Sequence, residues 1–130
     1  MLQGERSLDG IVRREVILPA SRQEAWAALT RSEELSAWFE ADVEIDPHPR
    51  GTLAIRFPDG TTRTGAVLAA DPPYRLVLVW EEARDAGGLE AQASRVEFTL
   101  HTVDEGTLLT VIETPLPASA SELRLYRAMR

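Results

Sequence analysis

Two charged side chains break the apolar alternation of their segments, and they are the residues of this chain best placed to do chemistry. In Leu109-Thr110-Val111-Ile112-Glu113 the carboxylate shares parity with Leu109 and Val111, so it points inward if those two are core. A carboxylate there can act as a general acid or base, or hold a cationic ligand. The commoner fate of such a group is a structural ion pair, and Arg56 or Arg63 is the partner expected. Arg14 interrupts the inward parity of Val12, Val16 and Leu18 in the same way, either as a buried partner or as a strand-end arginine reaching back to water.

The remaining reactive residue types are less promising. His48 stands between two prolines in a turn and His101 lies on the polar face of an alternating segment, with no second ligand at metal-binding spacing to either. No metal and no cofactor is assigned. Ser7, Ser21, Ser32, Ser36, Ser94, Ser119 and Ser121 fall mostly in helix caps or termini, and no Gly-x-Ser-x-Gly elbow or phosphate-cradling glycine loop occurs. Nucleophilic catalysis has no support, and no catalytic residue is assigned beyond Glu113 as a candidate. Trp26, Trp38, Phe39 and Trp80 either line a ligand pocket or pack the core; Trp26 reads as core, whereas Trp80 fits both roles equally well.

Length and composition narrow the setting. A chain of 130 residues has room for one domain and one core, and 44% apolar with 27% charged residues is the composition of a folded globular protein. With no cysteine, the fold rests on packing alone, which suits a reducing cytoplasm. The start of the chain has no apolar run behind its charges, and no stretch approaches the length of a membrane span, so a cytoplasmic location is expected. All 14 cations are arginine; against 21 acids they leave a net charge of −7, which repels nucleic acid.

The elements that must position these residues follow from period and punctuation. Residues 11 to 18 read as a strand with Val12, Val16 and Leu18 inward, ended by Pro19. Ser21 and Glu24 form a capping box that opens a helix over residues 22 to 30, and Ser32 is expected to cap a second short helix ending near Trp38 and Phe39. From Ala41 the period becomes alternating, with turns at Pro47 to Gly51, Pro58-Asp59-Gly60, Asp71-Pro72-Pro73 and Asp104-Glu105-Gly106. Leu76 to Trp80 is apolar at every position, the mark of a central strand covered on both faces. Residues 84 to 92 carry Gly87-Gly88 and read as a mobile loop, and the chain closes with a helix through Leu123, Leu125, Tyr126 and Met129. Strand, two helices, about six further strands and a last helix is an α+β order. It implies a strongly curved antiparallel sheet whose concave face is covered by the terminal helix.

This order, together with specific motifs, resembles the START-like (SRPBCC, helix-grip or Bet v 1-like) superfamily. The branch it is most similar to is the family named for the activator of the ATPase of the ninety-kilodalton heat-shock protein. The motifs are Pro19-Ala20-Ser21 before Ala25-Trp26-Ala27-Ala28-Leu29-Thr30, Leu35-Ser36-Ala37-Trp38-Phe39, Gly60 through Gly65, Asp71-Pro72-Pro73-Tyr74-Arg75-Leu76, Trp80 and Glu105-Gly106-Thr107. The resemblance implies a single domain over residues 1–130, disordered over 1–10, with an antiparallel sheet of six or seven strands around a C-terminal helix and an apolar cavity between them. Such relatives usually carry a Gly-Trp pair and a long terminal helix, where this chain has Pro115-Leu116-Pro117-Ala118-Ser119 and a helix of only about 15 Å. Either the implied cavity is partly open, or the terminal helix is truncated at Arg130.

On that fold the expected ligand-binding set is Trp38, Phe39, Phe57, Leu78, Trp80, Phe98, Leu109, Val111, Glu113 and Tyr126. The expected function is binding of a hydrophobic or amphipathic small molecule. The alternatives are a protein-interaction module, as a chaperone ATPase regulator or a homodimer, and a cyclase- or hydrolase-type enzyme using Glu113.

Overall fold

The computed structural model describes residues 4–6, 10–84 and 92–129. The alternating apolar segments become strands because a period of two puts their apolar side chains on one face of a pleated sheet. They are β1 (Gly4–Arg6), β2 (Val12–Leu18), β3 (Asp42–Ile45), β4 (Thr52–Arg56), β5 (Thr61–Asp71), β6 (Arg75–Arg84), β7 (Gln92–Val103) and β8 (Gly106–Leu116). The helices are α1 (Arg22–Thr30), α2 (Ser32–Phe39) and α3 (Ser121–Met129). The strands form one curled antiparallel sheet in the order β1-β2-β8-β7-β6-β5-β4-β3. A register shift between Val67 and Ala69 breaks the ladder in β5, and a bulge of that kind bends the strand that carries it.

The order is that of the helix-grip class, and several local readings hold in detail. Ser21 accepts the Glu24 N–H at 3.1 Å while the Glu24 carboxylate takes the Ser21 N–H, so both halves of the capping box are made. β6 is covered on both faces, with Leu76, Val77, Leu78, Val79 and Trp80 all buried. α2 ends without glycine, at Glu40 in the left-handed region (φ 53°, ψ 45°), where the Ala41 N–H closes onto the Ser36 carbonyl.

Four readings change. Ser32 does not cap α2; its hydroxyl accepts the Ile45 N–H, and Ser36 accepts the Val43 N–H, so both serines tie α2 to β3. A serine hydroxyl satisfies whichever orphan N–H lies nearest, and tertiary folding brought a strand edge closer than the helix's own first turn. Residues 4–6, expected to be disordered, pair as an edge strand with residues 12–14. β8 continues through Pro115, past the turn of chain expected there, because its pairing with β2 ends at Glu113 and a residue lacking an N–H is tolerated on the side left open. The expected loop at 84–92 lies mostly outside the described residues.

The fourth change concerns α3. The main core gathers Leu53, Ile55, Val67, Leu76, Leu78, Trp80, Val96, Phe98, Leu100, Leu109 and Val111 from one face of the sheet, here called inner, and it is α1 and α2 that cover it with Ala25, Leu29 and Leu35. Leu123 and Tyr126 of α3 pack instead with Ala66, Val79 and Ala93, which have the opposite parity and lie on the outer face. Tyr126 donates to, or accepts from, the Thr64 hydroxyl at 3.2 Å, and the Arg127 guanidinium pairs with the buried Glu81 carboxylate; Thr64 and Glu81 are cross-strand partners on that outer face. The terminal helix is therefore not the cover of the inner face. The pairs α1 and α2 already fill that place, and β6 offers a second apolar surface behind it.

The outer face also carries a titrating contact. Hydrogen bonding from the Arg75 guanidinium, reinforced by Arg95, holds the Glu97 carboxyl below its ordinary value of 4.5, against the opposing pull of burial. A depressed carboxyl contributes stability that is present in full above its unfolded value and fades as pH falls through the folded one. Glu97→Gln is expected to lower stability by about 1 kcal/mol or less near pH 7, with the difference from the parent shrinking as pH falls below 4.5. Urea midpoints measured across that range check it; a difference independent of pH would refute it.

Candidate functional site

On the inner face a cavity of about 260 Å³ opens between the sheet and the C-terminal end of α2. Its roof is Trp38 and Phe39, placed there because α2 is too short to extend over the whole sheet and stops at Glu40. Phe57, at the end of β4, and Arg63 of β5 make one wall. Trp80, Val96, Phe98 and Val111 are the floor, taken from successive strands β6, β7 and β8, and Arg14 of β2 closes the far side.

Trp80 is the centre of this arrangement. It is only 4% exposed, meets Phe39 edge-on at 6.5 Å between ring centroids, and lies 4.8 Å beneath the Arg63 guanidinium. Arg63 also stands 5.2 Å from the Phe57 ring and gives its Nε–H to Glu82 at 2.9 Å, so its charge is compensated while the planar group forms part of the wall. Gly65 is the cross-strand partner of Trp80, and a Cβ added to it would fall 2.0 Å from the Val79 carbonyl oxygen. Only glycine lets β5 and β6 approach this closely. Trp80 is thus both core and wall, which are the two roles its sequence position allowed.

The inward carboxylate finds a different partner from those expected. Glu113 pairs with Arg14 at 3.5 Å, not with Arg56, which meets Asp42, or with Arg63, which meets Glu82. Arg14 and Val111 are register partners, as are Val12 and Glu113, so the two inward charges of β2 and β8 sit diagonally on adjacent strands. Parity places each on the inner face; the pairing follows from register, which parity alone does not supply. Glu113 itself borders a broader hollow of about 620 Å³ that wraps the sheet's end from Val12 on the inner face to Ala93 and Arg127 on the outer. That hollow lacks an aromatic wall, so the smaller cavity is the better-formed site.

Of the expected set, Trp38, Phe39, Phe57, Trp80, Phe98 and Val111 converge on the cavity. Leu109 lines a neighbouring inner-face cavity, and Leu78 is sunk in the core. Tyr126 is on the opposite face with α3 and lines neither. The residues not foreseen are Arg14 and Arg63 as wall groups; their parity with Val12 and with Trp80's neighbours was the available signal.

A curled antiparallel sheet, two helices inserted after the first long strand, and an aromatic cavity beneath them define a helix-grip domain of the START-like superfamily. The sequence profile of the family described as activator of Hsp90 ATPase homolog 1-like protein matches residues 19–128, and the chain belongs to that family. Among solved structures it is similar to protein MLL2253 of Mesorhizobium loti, with 24% identity and a TM-score of 0.71 over 92% of this chain and 82% of that one. Protein Ms6760 of Mycobacterium smegmatis is 19% identical, with a TM-score of 0.69 over 99% of this chain and 87% of that one. The Aha1 dimer of Colwellia psychrerythraea is 18% identical, with a TM-score of 0.62 over 88% and 83%. At these identities the likeness is one of fold. No curated protein matches the chain. No helix among the described residues is long and apolar enough to cross a membrane.

Proposed function

We propose that this protein binds a small hydrophobic or amphipathic molecule in the cavity between its sheet and α2. The observation that carries the reading is the aromatic enclosure of Trp38, Phe39, Phe57, Trp80 and Phe98 around about 260 Å³, with two guanidiniums in its wall. An apolar box with a few polar groups is how small-molecule sites are built: burial supplies affinity and the polar groups supply orientation. The family contains ligand-binding and cyclase-like proteins, which agrees with this reading. Glu113 borders the broader hollow and is engaged by Arg14, so binding needs no acid or base from it.

Titration with the neutral fluorophore N-phenyl-1-naphthylamine tests the reading. Saturable one-to-one binding that quenches tryptophan fluorescence is expected, weakened several-fold in Arg63→Met, which removes the stacked guanidinium but keeps an apolar stem. Absence of saturable binding to the parent chain would sink it. The second reading is a homodimer, favoured by the dimeric Colwellia neighbour; sedimentation equilibrium separates the two.

A further inference from the structure

The aromatic cavity is one half of a longer groove. Inward residues run along β2 as Arg14, Val16 and Leu18, and along β7 as Val96, Phe98 and Leu100, with Val111 followed by Leu109 on β8. Register aligns them: Arg14 faces Val111, Val16 faces Leu109, Phe98 faces Val111 and Leu100 faces Leu109. The Arg14, Phe98 and Val111 end lines the aromatic cavity, and the Leu18, Leu100 and Leu109 end lines a second cavity of about 320 Å³ under α1 and α2. One inward step along a strand is about 6.7 Å, so the two volumes are consecutive. Trp38 is the side chain common to both linings, which puts it at their boundary.

The halves differ in chemistry. Beyond Trp38 the wall is aliphatic, from Leu18, Ala25, Ala28, Leu29, Leu100 and Leu109, with Glu34 exposed at its border. On the near side Arg63 commits only Nε to Glu82, and the 3.5 Å separation of Arg14 from Glu113 is longer than a charge-assisted hydrogen bond. Both guanidiniums thus keep N–H donors for a guest, while their charges are already balanced by two carboxylates. Such a site favours an uncharged acceptor; an anion would have to displace a glutamate or add negative charge to a chain whose net charge is −7.

We propose that the ligand is an uncharged amphipath whose carbonyl or ester oxygen accepts from one of the two wall guanidiniums, Arg14 or Arg63, and that Trp38 is the stop that sets how long its apolar tail can be. This rests on the cavity being a ligand site. The test uses two homologous series, straight-chain alkan-2-ones and straight-chain carboxylates, titrated by calorimetry into the full chain, Trp38→Ala, and Trp38→Ala combined with Ala28→Leu. For the parent, ketone affinity rises about fourfold per added methylene until the tail meets Trp38, then levels off. In Trp38→Ala the levelling moves to longer chains, and Ala28→Leu, which refills the far half, moves it back. Ketones bind about tenfold or more tighter than carboxylates of the same length. Should Trp38→Ala fail to fold, Trp38→Phe carries the same comparison with a smaller extension. Identical length dependence in parent and variant, or carboxylates binding as tightly as ketones, overturns the proposal. If no member of either series binds but the naphthylamine probe does, the site stands and this ligand class falls; if nothing binds, the cavity reading falls with it.

Discussion

Trp80→Ala is expected to lower the free energy of unfolding by about 3–5 kcal/mol, the range for deleting a large aromatic side chain from a packed interior. Trp80 is 4% exposed and is held by contacts of three kinds: the edge of Phe39, the guanidinium of Arg63, and the apolar floor it shares with Val96 and Phe98. None of these can close over the vacated space, because the backbones of β5 and β6 are already at their limit of approach at Gly65. The loss therefore includes a cavity term as well as the transfer term. Urea denaturation followed by far-ultraviolet circular dichroism measures it. Since the same ring is the cavity floor, naphthylamine binding by whatever fraction remains folded should drop with it. A loss below about 1 kcal/mol would mean that Trp80 is not the centre of the core.

Leu123→Ala is expected to cost about 2–5 kcal/mol while leaving binding in the aromatic cavity unchanged. Leu123 is 1% exposed and packs with Tyr126 on Ala66, Val79 and Ala93. That contact anchors a helix of nine residues, too short to be stable alone, so its loss should release α3 as a unit. The sheet's inner face lies behind β5, β6 and β7 and is covered by α1 and α2, so it has no reason to respond. The paired measurement separates two architectures. If α3 closed the cavity, Leu123→Ala would abolish probe binding in protein that is still folded; packed on the outer face, it lowers the unfolding midpoint and leaves probe binding as it was.

Much of this was legible in the residues. Parity along residues 11 to 18 correctly grouped Val12, Val16 and Leu18 on one face and marked Arg14 as a charge on the inner side, and parity along residues 109 to 113 did the same for Glu113. The capping box located the start of α1 to the residue, since its two hydrogen bonds depend only on groups three positions apart. The family resemblance, carried by motifs from Pro19 to Thr107, supplied the sheet and the inserted helices. Six of the ten expected ligand-binding residues meet at one cavity because strand alternation and the end of α2 are both local properties.

The residues alone determined which side chains share a face and, at a signal as local as the capping box, where α1 starts, because those depend on neighbours at fixed spacing. Which face receives which helix was decided only in three dimensions. β6 is apolar on both sides, and the stripe of Leu123 and Tyr126 is narrow enough to suit either, so the competition was settled by α1 and α2 occupying the inner face. The partner of Glu113 was decided the same way, by the register that sets Val12 opposite Glu113 and so leaves Arg14 within reach. Long-range pairing of this sort depends on residues about a hundred positions apart, and no local periodicity encodes it.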